Sequence, residues 1–212
     1  ITIEKGVTSI GDGAFEGCKT LTGITIADSV TSIGDSAFSG CGSLEKLNIP
    51  ANLNRLSDHL FSGCSSLTDV VIPNGVTSIG DCAFSDCSSL TSVSIPEGVT
   101  SIGKFAFKGC SSLTSVSIPE GVTSIGYQTF YGCSSLTSVS IPDGVTSIDD
   151  YAFYECRSMK DVYYGDDEVA WKQISIGEGN YRLTSAYIHY AATHICTLHL
   201  IPAVVPTCTT GG

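Results

Sequence analysis

Leu21, Leu44, Leu67, Leu90, Leu113, Leu136 and Met159 follow one another at a constant step of 23 residues. Cys18, Cys41, Cys64, Cys87, Cys110, Cys133 and Cys156 keep the same step, and so do Phe15, Phe38, Phe61, Phe84, Phe107, Phe130 and Phe153. The step never slips, so the units carry no insertions. A period of this length means that one short supersecondary unit is stacked on copies of itself. The segment CSSLTSVSIPEGVTSIG at 87–103 returns unchanged at 110–126. It returns again at 133–149 with Asp143 and Asp149 in place of a Glu and a Gly.

Leu90, Val93 and Ile95 are apolar, and Val93 and Ile95 alternate with Ser92 and Ser94, which predicts a short half-buried strand. Pro96 ends it, because proline cannot donate to a ladder. The residues IPEG then fit a type I turn with Pro second and Gly fourth. The glycine slot of this turn holds Gly6, Ser29, Asn52, Gly75, Gly98, Gly121 and Gly144. Asn tolerates the left-handed region better than other residues with a side chain, so Asn52 implies a positive φ there, although Ser29 does not. Val99 and Ile102 point inward from a second extended piece. Ala106, Phe107 and Cys110, in GKFAFKGC, are spaced for one helical or 3-10 turn. A single unit has nothing to bury its apolar side chains against, so a solenoid results. With coils about 4.8 Å apart, the seven or eight coils form a rod or arc roughly 35–40 Å long.

The pattern L-x-x-V-x-I-P-x-G-V-x-x-I-G-x-x-A-F-x-x-C over residues 1–158 resembles the BspA-like, or Treponema-type, leucine-rich repeats. The resemblance implies a right-handed leucine-rich-repeat solenoid with a parallel sheet along one face. It also implies a bacterial cell-surface or secreted protein that adheres to host proteins or to other bacteria. Residues 159–190 are similar to segments that close such arrays in surface proteins of gut Firmicutes. Their sequence reads as an α/β cap. Met159, Val162 and Tyr164 continue the strand slots, Asp166 or Asp167 can N-cap a helix through EVAWKQI, Trp171 and Ile174 share its inner face, and SAYIHY reads as a last strand. Residues 191–212 fall outside the period and resemble the start of a further module. The chain opens inside a coil, at Ile1 rather than Met, which reads as a mature or trimmed fragment with more repeats before it.

Composition narrows the function. The formal charge is −11, with 10 Lys and Arg against 21 Asp and Glu. That excludes a phosphate-backbone binder, which needs clustered cations, and disfavours docking on anionic lipid. No apolar run approaches the roughly 20 residues of a membrane span.

The cysteine ladder reads as buried reduced thiols acting as small core hydrophobes. Its members sit about 4.8 Å apart at Cβ, farther than the roughly 3.5–4.5 Å of a disulfide, and the steps lack the short C-x-x-C spacing of zinc sites. Cys82 lies in a variable slot. Pairing of Cys196 with Cys208 stays open. His189, His194, Cys196, His199 and Cys208 crowd the C-terminus without the spacing of any finger. The acidic clusters at Asp149–Asp150 and Asp166–Glu168 lack the order of a calcium loop, and read as solvated or helix-capping groups. No Ser stands in G-x-S-x-G, and His59 is the sole His inside the array. The reading is therefore of a chain without catalytic, metal or cofactor residues.

Binding surfaces remain. The outward strand slots hold Lys46 and Asn48, Asp69 and Val71, then a flat ladder of Ser92, Ser94, Ser115, Ser117, Ser138 and Ser140, and finally Asp161 and Tyr163. On the A-F turn, early units carry Asp12, Asp35, Asp58 and Asp81. The last three coils carry Phe105, Tyr127, Tyr131, Tyr151 and Tyr154, an aromatic ridge suited to a protein interface and also to sugar-ring stacking. The expected role is a non-catalytic adhesion module with a protein ligand. The alternatives are a carbohydrate-binding accessory module and an inert spacer that projects another domain.

Overall fold

A computed structural model describes residues 1–191 of the chain, so positions 194, 196, 199 and 208 weighed above lie outside the described residues. The chain winds as a solenoid of parallel strands. Along one side, Ser115–Ser117, Ser138–Ile141, Asp161–Tyr164 and Tyr187–Tyr190 form one parallel sheet, in the register Ser115↔Ser138↔Asp161↔Tyr187. Thr2–Ile3, Gly23–Ile26 and Lys46–Leu47 pair in the same way at the other end. The second extended piece is also laddered. Arg55–Leu56, Ser78–Ile79 and Ser101–Ile102 pair in parallel, as do Ser124–Ile125, Ser147–Ile148 and Ser175–Ile176. Two sides of the coil are therefore sheet, and Val99 and Ile102 do face the core from the second.

The interior is a set of columns. Phe38, Phe61, Phe84, Phe107, Phe130 and Phe153 are fully buried. Successive rings, from Phe15 onward, stack with centroids 5.2–5.7 Å apart. Beside this spine runs the cysteine column. It does more than fill space, because each thiol from Cys41 to Cys156 donates to the carbonyl of the phenylalanine one coil back. Cys110 Sγ, for example, lies 3.2 Å from the Phe84 oxygen, and the other five bonds measure 3.0–3.2 Å. Burial pushes these thiols up, Cys64 and Cys156 to about 12. The unfolded chain releases their protons near the ordinary value of 9.0, so it binds fewer protons than the native state above that pH. Stability is then lost progressively from pH 9 toward 12. Among the described residues, alkylation of the native protein near pH 8, mapped by mass spectrometry, is expected at exposed Cys18 and more slowly at half-buried Cys82. The other six thiols should react only after unfolding. Labelling of Cys110 at the rate of Cys18 would contradict this packing.

The turn after each proline is shifted from its sequence reading. The Pro96 carbonyl accepts the Val99 N–H at 3.0 Å, and Pro50, Pro73, Pro119 and Pro142 do the same for the residue three further on. Proline is therefore first in the turn and glycine third. Nor is φ positive at Asn52, Gly75, Gly98, Gly121 or Gly144; within that slot it is positive at Gly6 alone. Glycine is used there for close approach. A Cβ added at Gly75 or Gly98 would lie 3.3 Å from the carbonyl oxygen of Leu53 or Asn74 in the coil before. Where the slot is not glycine, its side chain bonds that coil instead. Asn52 Nδ2 donates to the Asp28 oxygen at 2.7 Å, and Ser29 Oγ donates to the Val7 oxygen at 2.8 Å.

The A-F segment, expected as a helical or 3-10 turn, is a ribbon of interlocked turns. The N–H groups of Phe105, Phe107 and Gly109 donate to the Tyr127, Thr129 and Tyr131 carbonyls of the next coil at 2.7–3.1 Å. Those of Ala106, Lys108 and Cys110 close i→i+3 bonds at 3.0–3.3 Å. Two left-handed residues per unit produce the alternation. One slot holds Gly13, Ser36, His59, Cys82, Phe105, Gln128 and Tyr151. The other holds Gly17, Gly40, Gly63, Asp86, Gly109, Gly132 and Glu155.

The closing segment follows the sequence reading in outline. Asp167 caps α1 (Glu168–Trp171), accepting the Ala170 N–H at 2.9 Å. The helix stops at Trp171, short of Ile174, and Trp171 and Ile174 are both buried. A second helix, α2 (Tyr181–Thr184), and the short Ser175–Ile176 strand complete the final turn.

Candidate functional site: an aromatic ridge on the turn side

The A-F ribbon sets its variable side chains on the outer surface, and over the last coils these are rings. Phe105 meets Tyr127 edge to face with centroids 5.3 Å apart, and Tyr127 meets Tyr151 at 6.2 Å. Tyr151 meets Tyr154 at 5.5 Å, and Tyr131 stacks on Tyr154 at 5.3 Å. All five residues singled out in the sequence are thus brought into one connected, half-buried cluster. They do not form a single file. Phe105 and Tyr151 share the left-handed slot, Tyr127 stands one residue earlier in its unit, and Tyr131 and Tyr154 stand one turn further on.

The structure adds a sixth ring that the repeat pattern does not reveal. Tyr181, at the start of α2, packs edge-on to Tyr154 at 5.8 Å and is 45% exposed. It stands 27 residues beyond Tyr154, off the 23-residue step, because the closing segment replaces a repeat. Cations sit on the cluster. Lys108 Nζ lies 5.4 Å from the Phe105 centroid and 5.5 Å from that of Tyr131, and the Arg182 guanidinium lies 5.2 Å over Tyr181. Gln128 Nε2 donates to the Tyr127 hydroxyl at 3.0 Å. The Glu155 carboxylate holds the Tyr154 phenol above its ordinary range.

The early acidic slot has a backbone role. Asp12, Asp35, Asp58 and Asp81 each accept the N–H of the corresponding residue in the next coil at 2.7–3.2 Å. Asp150 does the same for Glu178 at 2.7 Å. Among the described residues, no group of three His, Cys, Asp or Glu side chains converges as a metal site, and no helix is long and apolar enough to cross a membrane.

The family model described as the BspA type leucine rich repeat region matches residues 1–98 and 66–177, in six copies. Among solved structures, a leucine-rich repeat protein from Bacteroides ovatus is 39% identical with a TM-score of 0.72. The match covers 76% of this chain and 43% of that protein, so the chain spans under half of that relative's length. The T. pallidum leucine rich repeat protein is 28% identical with a TM-score of 0.70, covering 91% of this chain and 86% of that one. The pneumococcal vaccine antigen PcpA shares the fold at 17% identity and a TM-score of 0.55, covering 87% of this chain and 60% of its own. No curated protein matches the chain in sequence. The repeat unit, the parallel coils and the family match agree: the chain belongs to the BspA-type leucine-rich-repeat family.

Proposed function

We propose that the chain is a non-catalytic binding module of a secreted or cell-surface bacterial protein, docking a protein partner through Phe105, Tyr127, Tyr131, Tyr151, Tyr154 and Tyr181. In this reading residues 1–158 are the scaffold, 159–190 close it, and 191–212 begin a further module. The observation that carries the proposal is the ring cluster itself. Six aromatic side chains on a solvent-facing surface already lean on one another, so docking against them orders few new rotamers. Tyrosine and arginine are also the residue types that dominate binding energy at interfaces. Lys108 and Arg182 add a cationic rim to a chain of net charge −11, which favours acceptors on the partner beside its apolar contact. The surface location rests on the repeat family that the sequence pattern resembles.

The test is equilibrium binding to panels of matrix and epithelial surface proteins, with the Tyr131→Ala/Tyr154→Ala variant alongside. Saturable protein binding that weakens tenfold or more in the variant, with its melting temperature held within a few degrees, is expected. Binding that is indifferent to both substitutions in a folded variant would place the docking surface elsewhere.

A further inference from the structure

The strand face ends differently from the way it begins. Two outward rows run along it, in the register Ser115–Ser138–Asp161–Tyr187 and Ser117–Ser140–Tyr163–His189. The last two members of the second row are rings. Tyr163 and His189 stack with centroids 4.5 Å apart and planes within 11°. That separation is close to the spacing of adjacent strands, so the ring pair continues the coil-to-coil step of the row. Tyr187 closes on His189 edge to face at 4.6 Å, and Asp161 Oδ1 lies 2.8 Å from His189 Nε2. The stack is therefore held in place by its neighbours rather than by a ligand.

One face of Tyr163 is covered by His189. The other looks along the row toward Ser140, whose short side chain leaves the next place in the stack vacant. Tyr163 is accordingly 48% exposed, on an otherwise well-packed coil. The bottom of that place is hydroxyl. Some of the repeated hydroxyls are engaged by the protein, as when Thr114 and Thr137 donate to the carbonyls of Thr91 and Thr114 one coil back, and Ser134 to that of Ser111. The hydroxyls of Ser115, Ser117, Ser138 and Ser140 make no side-chain hydrogen bond among the described residues. The site is thus one flat aromatic wall, one rung of free depth, and unengaged hydroxyls beneath and beyond it.

We propose that this place binds a pyranose ring of a neutral polysaccharide, stacked on the free face of Tyr163 above Ser140, with the chain continuing along the Ser117 and Ser115 rungs. A pyranose presents C–H groups on its face and hydroxyls on its rim, which matches the wall and the floor in turn. A phenyl ring from a partner protein would match the wall and leave the serine hydroxyls unsatisfied. An anionic sugar would meet the Asp161 carboxylate and a chain of charge −11, so the ligand is neutral. The surface is separate from the tyrosine ridge on the turn side, and the two can fail independently.

Binding is measured by isothermal calorimetry and saturation-transfer NMR on the whole chain. The probes are hexaoses of glucose, xylose, mannose and N-acetylglucosamine, with oligogalacturonate and a phenylalanine-containing hexapeptide beside them. The expected result is millimolar or tighter binding of at least one neutral hexaose. It should fall tenfold or more in Tyr163→Ala and in Ser140→Phe, which fills the vacant place with a ring of the protein's own. Tyr163→Phe and the Tyr131→Ala/Tyr154→Ala variant should retain it, and far-UV circular dichroism and melting temperature confirm that each variant folds. Absence of binding by every neutral hexaose overturns the proposal. So does binding untouched by both Tyr163→Ala and Ser140→Phe, or a preference for oligogalacturonate or the peptide over all the neutral sugars.

Discussion

Replacing Phe107 with alanine is expected to destabilise the protein by about 3–5 kcal/mol, the range for truncating a fully buried phenylalanine. The ring is 0% exposed and stacks on Phe84 at 5.3 Å and on Phe130 at 5.4 Å. Its loss opens a void in the middle of the spine and removes both ring pairs. Coils on either side are pinned by their own backbone ladders, so they cannot collapse to fill the gap. In a stacked array stability is close to a sum of units and nearest-neighbour contacts. Phe15→Ala should therefore cost less than half as much, since Phe15 is only partly buried and has one ring neighbour, Phe38. Urea unfolding followed by circular dichroism gives both values. Trp171 fluorescence, which reports the C-terminal end, is expected to separate from it in the Phe107→Ala protein as the halves uncouple. Equal costs at the two positions would rule out the spine as the main source of cooperativity.

Asn180 carries the second large effect. It is 3% exposed, and it stands where an eighth A-F ribbon would begin. Its Oδ1 accepts the Phe153 N–H at 2.9 Å, the bond that Phe107 or Phe130 would give to a following coil. Its Nδ2 donates to the carbonyls of Asp149 at 2.9 Å and Gly177 at 3.0 Å. One amide thus stands in for a missing coil. Asn180→Leu keeps the volume and leaves the buried Phe153 N–H unpaired, while the Asp149 carbonyl keeps the Ala152 N–H at 3.3 Å. A loss of about 1–3 kcal/mol follows. Hydrogen exchange should localise it, with the Phe153 amide losing protection while that of Phe84, four coils from the end, keeps it. Unchanged exchange at Phe153 would show that water or a shifted backbone replaces the amide without cost.

The contrast between these residues marks how far the sequence can be read. Phe107 and Cys110 were legible because each recurs in every unit, and a column that recurs must face the axis. Asn180 occurs once, in GEGNY, where nothing distinguishes it from a surface turn. The glycine slot misled for a physical reason. Glycine serves both positive φ and close backbone approach, and Gly75 and Gly98 serve the second. Of the two left-handed slots, one is marked by Gly17, Gly40, Gly63, Gly109 and Gly132, whereas the other carries no mark, because Ser36, His59, Cys82, Phe105, Gln128 and Tyr151 share no chemistry and the neighbouring coils hold the backbone there. The ridge was readable as slots, whereas its continuity through Tyr181 depended on a closing segment with its own spacing.

The direction of the coil-to-coil bonds has a mechanical consequence. On all three sides of the coil, hydrogen bonds between units run along the solenoid axis. Tension applied to the two ends along that axis loads the rungs one after another, so the weakest terminal rung opens first and the rest follow singly. Each coil that peels away frees 23 residues, roughly 75–80 Å of extended chain, in exchange for about 4.8 Å of folded length. An array of this kind lengthens in steps under load and dissipates work at each one, so a pull on one end reaches the other as a limited force over a long extension.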